Sequence, residues 1–232
     1  MIPRKKIHRF KSKIIGIKQL NPTVKHITIS LPEEFDFYPG QFVSFIFDNN
    51  GTEIRRPYSI ASNPRKGSLD IVIKIVANGL ITPTINKMKV GDELTVLGPM
   101  GTFTIKDKAK PIIFISTGTG IGPFRSMILD LLENGCKNNI TLLTGYRNEE
   151  DVLYDNEFND LMDKNKNFFY HKILSQDENF SKKGWVQKLV EQNLNPNNHY
   201  YICGLKDMVN SVRELLEKNN IPQDNIFFEK YD

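Results

Sequence analysis

The stretch Arg56-Pro57-Tyr58-Ser59 places a fixed cation, a flat aromatic ring and a hydroxyl within four residues. An arginine can grip a pyrophosphate with its planar fork, and a tyrosine can lay its ring against a flat ligand. In an extended strand, Arg56 and Tyr58 point to one face and Pro57 and Ser59 to the other, unless the strand ends or bends there. The stretch predicts a site for a flat ligand that bears phosphates. An ordinary strand end is the alternative.

A glycine-rich run, Gly118-Thr119-Gly120-Ile121-Gly122-Pro123, lies where a strand is expected to lead into a helix. Glycines let backbone N–H groups approach a pyrophosphate, and a helix N-terminus adds a partial positive charge. The run departs from the G-x-G-x-x-G pattern because Pro123 replaces the last glycine. The next strand ends in Gly145-Tyr146-Arg147 instead of an acid that would bind a ribose. The run predicts a phosphate loop, with a tight strand-to-helix turn as the alternative.

The elements that must position these residues differ between the two halves of the chain. Residues 11–106 contain short β-rich segments punctuated by Gly and Pro, which favours a small antiparallel barrel or sandwich. We predict strands there over 13–20, 24–30, 42–47, 69–76 and 93–97. Beyond the charged segment 106–110, strand and helix patterns alternate, which predicts a doubly wound parallel α/β sheet. Its predicted strands cover 111–117, 140–145, 168–174, 200–203 and 226–229, and its helices 124–133, 158–164, 185–192 and 205–219. The fold class is therefore an N-terminal antiparallel β-barrel domain, 1–107, followed by an α/β domain, 108–232.

Composition limits the function classes. The 232 residues suit two compact domains, and 39% apolar with 25% charged residues describes a soluble globular protein. No apolar run or leading apolar segment indicates a membrane span or a secretory signal. Cys136 and Cys203 are too few for a disulfide framework or a four-thiolate iron–sulfur cluster, and the histidines show no ligand spacing. We expect a cytoplasmic protein without a metal site.

Positive charge is concentrated at the N-terminus. Residues 1–32 hold eight of the 31 Lys and Arg residues and no acid. Arg4, Lys5, Lys6 and Arg9 could attract an acidic protein, and a solvated strand with its leading tail is the alternative. No nucleic-acid-binding signature accompanies them, so nucleic acid is not an expected partner.

Seven stretches resemble, in sequence and in order, the ferredoxin-NADP reductase superfamily over almost the whole chain. They are RPYSIAS, NGLIT, LGPMG, TGTGIGPFRS, GYRNEEDVLY, CGLKDM and the terminal EKY. The resemblance implies an FAD-binding barrel and an NAD(P)-binding α/β domain. It implies hydride transfer between NADH or NADPH and flavin N5. Electrons would then pass to a separate carrier such as ferredoxin or flavodoxin, since the chain lacks cysteines for its own cluster.

The same resemblance implies the flavin-binding residues. Arg56, beside Pro57, corresponds to the arginine on the flavin pyrophosphate, Tyr58 to the tyrosine stacked on the isoalloxazine and Ser59 to the hydroxyl near N5. The remaining flavin residues form the strand along the ribityl arm and the element at the pyrophosphate: Lys74, Ile75, Val76, Gly79, Leu80, Ile81 and Thr82. Thr82 before Pro83 also suits a helix N-cap.

The resemblance also implies a set of residues at the nicotinamide dinucleotide. These are Thr117, Gly118, Thr119, Gly120, Arg147, Ser175, Gln176, Cys203 and Gly204. Ser59, Cys203, Glu229 and Tyr231 are the candidates for aligning the rings and handling a proton. Cys203 could equally be a small apolar strand residue and Glu229 a surface carboxylate.

Two further expectations concern selectivity and the terminal aromatic. In NADP-specific relatives a Ser-Arg pair follows the third strand of this domain, whereas this chain has Ser175-Gln176 and holds Trp185 at the second cationic position. A modest preference for NADH follows, although Lys182 and Lys183 could still reach a 2′-phosphate. Tyr231 is expected to cover the flavin face opposite Tyr58, with a mobile tail as the alternative because Asp232 follows it.

Two other functions compete with the reductase. One is a noncatalytic electron-transfer subunit of a larger redox complex. The other is a nucleotide-binding regulatory module without flavin, against which the retention of Arg56, Tyr58, Ser59 and Tyr231 argues.

Overall fold

The computed structural model describes Pro3, residues 5–177 and residues 183–231. Arg4, Lys182 and Asp232, which enter the sequence arguments, lie outside these ranges. The chain divides into two compact units. Unit 1 comprises residues up to Thr104 together with Gly122–Asp130, and unit 2 comprises Ile105–Ile121 together with the chain from Leu131 onward. The predicted boundary near residue 108 stays a prediction.

Unit 1 is built on an antiparallel sheet. In its described residues the strands are β1 His8–Asn21, β2 Val24–Ser30, β3 Phe42–Asn49, β4 Thr52–Ser59, β5 Ser68–Lys74 and β6 Glu93–Met100, with helix α1 at Thr82–Lys87. The strand order is β4-β3-β6-β1-β2-β5. Ile60, just after β4, forms an isolated bridge to Ile71 of β5, so the sheet curls into a barrel-like shape without a continuous closing ladder.

Alternating apolar side chains create the core of this unit. Ile27, Ile29, Phe45, Ile71 and Val96 are buried in a single apolar cluster. The alternation explains why β2 is found where the sequence predicts it. β5, in contrast, is buried along nearly its whole length, including its acidic residue.

Three details of unit 1 differ from the sequence prediction. The strand predicted over 69–76 ends at Lys74. The strand predicted over 93–97 continues to Met100 and so includes Gly98-Pro99, where the ladder with β1 ends. For helix α1 the sequence suggests only a start, through Thr82 and Pro83, because its six residues are too few to show helical periodicity.

Unit 2 is built on a parallel sheet. Its strands, in the described part of the chain, are β7 Ile112–Thr117, β8 Ile140–Tyr146, β9 Phe168–Leu174, β10 His199–Leu205 and β11 Ile226–Tyr231. The connecting helices are α2 Ile121–Glu133, α3 Asp155–Lys164, α4 Val186–Glu191 and α5 Lys206–Lys218. The order is β11-β10-β7-β8-β9, and every pairing is parallel.

The strand order decides where unit 2 can bind a ligand. The chain runs outward from β7 through β8 to β9 and then returns to place β10 on the other side of β7. Ligands of such sheets bind at the carboxyl ends of the strands where this reversal occurs.

The predicted fold class, an antiparallel barrel-like domain followed by a parallel α/β domain, is confirmed. No helix among the described residues is long and apolar enough to cross a membrane.

Candidate functional site

The Arg56–Ser59 stretch forms the end of β4. Arg56 lies opposite Phe45 and Tyr58 opposite Val43 in the ladder with β3. Arg56 and Tyr58 are half-buried while Pro57 is exposed, and Ser59 is buried where the strand ends. Arg56 and Tyr58 therefore share one face of the strand, as the alternation predicts.

The ring of Tyr58 packs on the apolar core, with its centroid 5.0 Å from that of Phe45. Burial raises the pKa of Tyr58 to about 12, although the charge of Arg56 acts in the opposite direction. The phenol is therefore neutral at physiological pH. Core packing fixes one side of a ring that can stack against a flat ligand, beside a guanidinium able to bind phosphate.

The segment after β5 forms a tight loop on unit 1. The hydroxyl of Thr82 accepts a hydrogen bond from the Val76 N–H at 3.0 Å and donates one to the Val76 carbonyl at 2.9 Å. A Cβ atom on Gly79 would lie 2.8 Å from the Thr82 hydroxyl oxygen, so only glycine fits there without displacement. The Ile75 N–H binds the Thr23 carbonyl, and the Leu80 side chain is largely exposed.

The expected N-cap role of Thr82 is wrong. Thr82 is the first residue of α1, and Ile81 occupies the capping position without a side-chain capping bond. The Thr82 hydroxyl instead closes the loop on Val76. Lys74, the last residue of β5, points away from the core.

In unit 2, the glycine run forms a single 3-10 turn, Gly118–Gly120, directly after β7. A Cβ atom on Gly120 would lie 2.2 Å from the Cys203 carbonyl oxygen and 2.9 Å from the Gly204 Cα, both backbone atoms at the end of β10. The backbones of the two segments are therefore in contact at the reversal point of the sheet. The Thr117 hydroxyl is buried and has no hydrogen-bond partner among the described residues. Thr119, in the middle of the turn, is half-buried.

Cys203, Glu229 and Tyr231 lie together at the same end of unit 2. The ladder between β10 and β11 pairs Cys203 with Glu229 and Leu205 with Tyr231. Burial raises the pKa of the Cys203 thiol well above its ordinary value, and the charge of Glu229 raises it further, against a hydrogen bond from Tyr231. Cys203 is thus a neutral thiol rather than a nucleophile. Ser59, the other candidate for the reaction, belongs to unit 1.

Arg147, Ser175 and Gln176 lie close together at the carboxyl ends of β8 and β9. The N–H of Gln176 donates to the Arg147 carbonyl at 2.9 Å, and the N–H of Ser175 donates to the Tyr146 carbonyl at 3.0 Å. The N–H of Gly184 donates to the carbonyl of Leu174, the last residue of β9, at 2.9 Å. The next residue, Trp185, therefore lies at this edge. The indole is 72% exposed. Sequence reasoning treated Trp185 only as an absent cation and missed this aromatic surface.

Local acids pair with part of the N-terminal positive charge. Lys5 forms an ion pair with Asp36, and the Arg9 guanidinium lies 2.7 Å from a Glu53 oxygen. These pairs lie on the surface, where each contributes little to stability but offsets the charge seen by a partner. The arrangement favours the solvated alternative over a dedicated docking patch.

Residues 11–105 match the oxidoreductase FAD-binding domain family, and residues 114–214 match the oxidoreductase NAD-binding domain family. The ferredoxin-NADP reductase B of Sorangium cellulosum (strain So ce56) is 32% identical, over 96% of this chain and 98% of that protein. The chain belongs to the ferredoxin-NADP reductase family. It is thus an FAD- and NAD(P)-binding oxidoreductase, as the sequence motifs predict.

Other relatives of this reductase are components of oxygenases. The reductase component DmpP of phenol 2-monooxygenase from Pseudomonas sp. (strain CF600) is 29% identical over 97% of this chain and 66% of that protein. Among solved structures, the ferredoxin-NADP+ reductase of Plasmodium falciparum with 2′P-AMP is 27% identical, with a TM-score of 0.83, over 96% of each chain. That of Neisseria gonorrhoeae with bound FAD and NADP has a TM-score of 0.84 at 23% identity, over 96% of this chain and 98% of that chain.

The residues of this reductase fit the two cofactors. The Cβ position of Gly118 is open, so the turn exposes backbone there, whereas those of Gly120 and Gly204 are filled by neighbouring protein atoms; the buried Thr117 hydroxyl has bonding capacity to spare. Such a surface suits a pyrophosphate or an amide. In unit 1, the Arg56 guanidinium beside the core-supported Tyr58 ring suits the phosphate and the ring of a flavin. Within the described residues, no cluster of His, Cys, Asp and Glu is arranged to hold a metal ion.

Proposed function

We propose that this reductase takes a hydride from NADH or NADPH onto flavin N5 and passes the electrons to a separate one-electron carrier, with ferredoxin or flavodoxin as the first candidates. The observation with most weight is the close fit of Gly120 against Cys203 and Gly204 at the reversal point of the sheet. A nicotinamide dinucleotide bound there has its pyrophosphate at the start of α2. The similarity to a ferredoxin-NADP reductase over nearly its full length supports the choice of carrier.

The side chains of the protein bind and align the two cofactors. FAD, when bound, accepts the hydride and releases electrons singly or as a pair. Arg56 would bind the flavin pyrophosphate, Tyr58 would support the ring, and the Gly79–Thr82 loop would bind the phosphate arm. Ser59 would donate or accept a hydrogen bond near N5. The neutral Cys203 thiol would provide a compact apolar surface for the nicotinamide, and the Glu229 carboxylate beside it would hold a proton.

Anaerobic titration of the purified, FAD-loaded protein tests this proposal. Addition of NADH or NADPH should bleach the flavin absorbance, and subsequent addition of oxidised ferredoxin or flavodoxin should restore it over many turnovers. Ferricyanide serves as a control acceptor that needs no specific docking. A protein that is bleached and reoxidised by ferricyanide but by neither carrier is a flavoprotein reductase with a different acceptor. A protein that binds no FAD contradicts the proposal entirely.

A second candidate is an electron-transfer component of a larger oxygenase complex, favoured by the similarity to phenol 2-monooxygenase reductase DmpP. An oxygenase component as acceptor in the same titration separates the two candidates. Turnover with such a component, and none with ferredoxin or flavodoxin, would favour the second.

A further inference from the structure

Unit 1 contains an acidic side chain that is completely buried. Asp70 lies in the middle of β5 and has no exposed surface. Its carboxylate accepts hydrogen bonds from the Thr28 hydroxyl at 2.9 Å and the Lys66 ammonium at 2.5 Å, and His26 Nε2 lies 3.2 Å away. Burial alone would raise the pKa of Asp70, but the hydrogen bonds from His26, Lys66 and Thr28 lower it well below its ordinary value. Asp70 is an anion at neutral pH.

The same carboxylate also binds a residue of α2. One guanidinium nitrogen of Arg125 lies 3.1 Å from the other Asp70 oxygen and donates to the Ala61 carbonyl at 2.7 Å. The neighbouring Ser126 hydroxyl donates to the Ser62 carbonyl at 2.6 Å, in a buried contact. Side chains in the first turns of α2 therefore form hydrogen bonds to the segment that directly follows Arg56–Ser59.

These contacts of Arg125 and Ser126 lie close to residues of the proposed flavin site. A Cβ atom on Gly122, in the first turn of α2, would lie 3.9 Å from the Ser59 carbonyl oxygen and 4.0 Å from the Ala61 Cβ. The helix begins directly after the Gly118–Gly120 turn, so a shift of its first turns also moves the backbone N–H groups of that turn.

We infer that Asp70 and Arg125 are positioning residues for hydride transfer, a role that rests on the proposed function. Asp70 holds the Arg125 guanidinium, and Arg125 holds the start of α2 against residues 59–62. The glycine turn is joined directly to that helix, so this contact orients the backbone N–H groups that would bind the dinucleotide. A planar guanidinium suits this role because it can bind a carboxylate and a carbonyl together, whereas a lysine ammonium is a point charge.

The pair Arg125→Met and Lys66→Met tests this role, since each variant removes one cation from Asp70 but only Arg125 belongs to α2. Flavin reduction is followed in FAD-loaded protein by stopped-flow absorbance with two hydride donors. NADH needs the glycine turn, whereas 1-benzyl-1,4-dihydronicotinamide has no pyrophosphate and does not. Arg125→Met should reduce the rate with NADH on the order of tenfold, because small misplacements of bound reactants are costly. Its rate with the truncated donor should stay within about twofold of wild type, as should both rates of Lys66→Met.

Other results overturn the inference. Equal rates of Arg125→Met and Lys66→Met with NADH would show that the helix contact does not position the dinucleotide. An equal loss with both donors would show that Arg125 only supports the flavin strand. Arg125→Lys serves if the Met variant does not fold, with an intermediate loss expected for NADH alone, and a rate equal to that of wild type would refute the role. A wild-type protein that NADH does not bleach refutes the proposed function first and this inference with it.

Discussion

A Cβ atom on Gly120 would lie 2.2 Å from the carbonyl oxygen of Cys203, a separation that two non-bonded atoms cannot adopt. Gly120→Ala must therefore push the glycine turn away from the end of β10. We expect kcat/KM for NADH to fall on the order of tenfold or more, since the turn would no longer fit the dinucleotide, while FAD stays bound in unit 1. Steady-state kinetics with ferricyanide and the FAD content of the purified variant measure the two effects.

Gly135→Ala is the matched control for this variant. Gly135 follows the same helix and has a left-handed φ of 67°, but among the described residues no atom beyond its chain neighbours lies within 4 Å of its Cβ position. Its replacement should cost about 1 kcal/mol of stability through backbone strain and leave NADH kinetics unchanged. Equal kinetic effects of the two substitutions would contradict the role of the Gly120 contact.

Substitutions of Tyr58 and Ser59 should affect two different properties, the retention of FAD and the rate of hydride transfer. Tyr58→Ala removes the ring that stacks on the flavin, so the purified variant should contain substoichiometric FAD. Ser59→Ala should keep its FAD and lose mainly hydride-transfer rate, because a hydroxyl at N5 affects alignment. Phe10→Ala, which truncates another aromatic packed on the same core, should retain FAD. Full FAD content with normal turnover in Tyr58→Ala would show that the Arg56–Ser59 assignment is wrong.

Sequence patterns were sufficient to predict the bounds of an element when a single pattern extends along the whole element. β9 was predicted to the residue because its aromatic and aliphatic residues are bounded by Asn167 and Ser175, and the β7–α2 connection was recognised from its glycines. The same reasoning gave no bounds for α1, which is too short for helical periodicity, and ended β6 at Leu97, although the strand continues through Gly98-Pro99. In both places tertiary packing determines the conformation more strongly than local propensity does.

The site was predictable only as separate stretches. Sequence order placed Arg56 and Tyr58 on one strand face and Gly120 after a buried strand. It could not reveal that Asp70 reaches Arg125, because the two residues are distant in sequence and meet only when α2 packs on β5. A single acid inside the apolar run Leu69-Asp70-Ile71-Val72 was the available signal, since a buried charge requires a partner.

Asp70 should make the stability of the protein sensitive to acid. Its folded-state pKa is depressed relative to the ordinary value of about 3.9, so its contribution to the free energy of unfolding is fully present above about pH 4 to 5. The contribution is lost as the pH falls further towards the folded-state pKa. Asp70→Asn should be less stable at pH 7 but decline less steeply below about pH 4, as measured by urea denaturation. Asp160→Asn, at an exposed position on α3, should follow the wild-type curve. Parallel curves for wild type and Asp70→Asn would contradict the depressed pKa.

The choice between NADH and NADPH should depend on the edge formed by Arg147, Gln176 and Trp185. The 2′-phosphate of NADPH requires a bidentate cation, and position 176 holds an amide, so we expect a modest preference for NADH. Gln176→Arg should raise kcat/KM for NADPH about tenfold, equivalent to roughly 1.4 kcal/mol, and leave that for NADH little changed. Gln176→Met, similar in length but uncharged, should not favour NADPH. A wild-type protein that uses NADPH tenfold better than NADH would refute the preference.

Tyr231 should restrain nicotinamide binding. It is half-buried at the end of β11, lies opposite Leu205 in the ladder and hydrogen bonds to the Cys203 thiol, so its ring is held beside the residue proposed to face the nicotinamide. We predict that the ring covers the flavin face opposite Tyr58 and must move before hydride transfer.

Stacking of this kind opposes docking by roughly 0.5 to 1.5 kcal/mol, so Tyr231→Ser should bind oxidised nicotinamide dinucleotide about two- to tenfold more tightly. Turnover should slow if release of the product becomes limiting. Titration followed by flavin absorbance measures the affinity. An unchanged or weaker affinity, with an unaltered flavin spectrum, would mean that Tyr231 only completes the β10–β11 ladder.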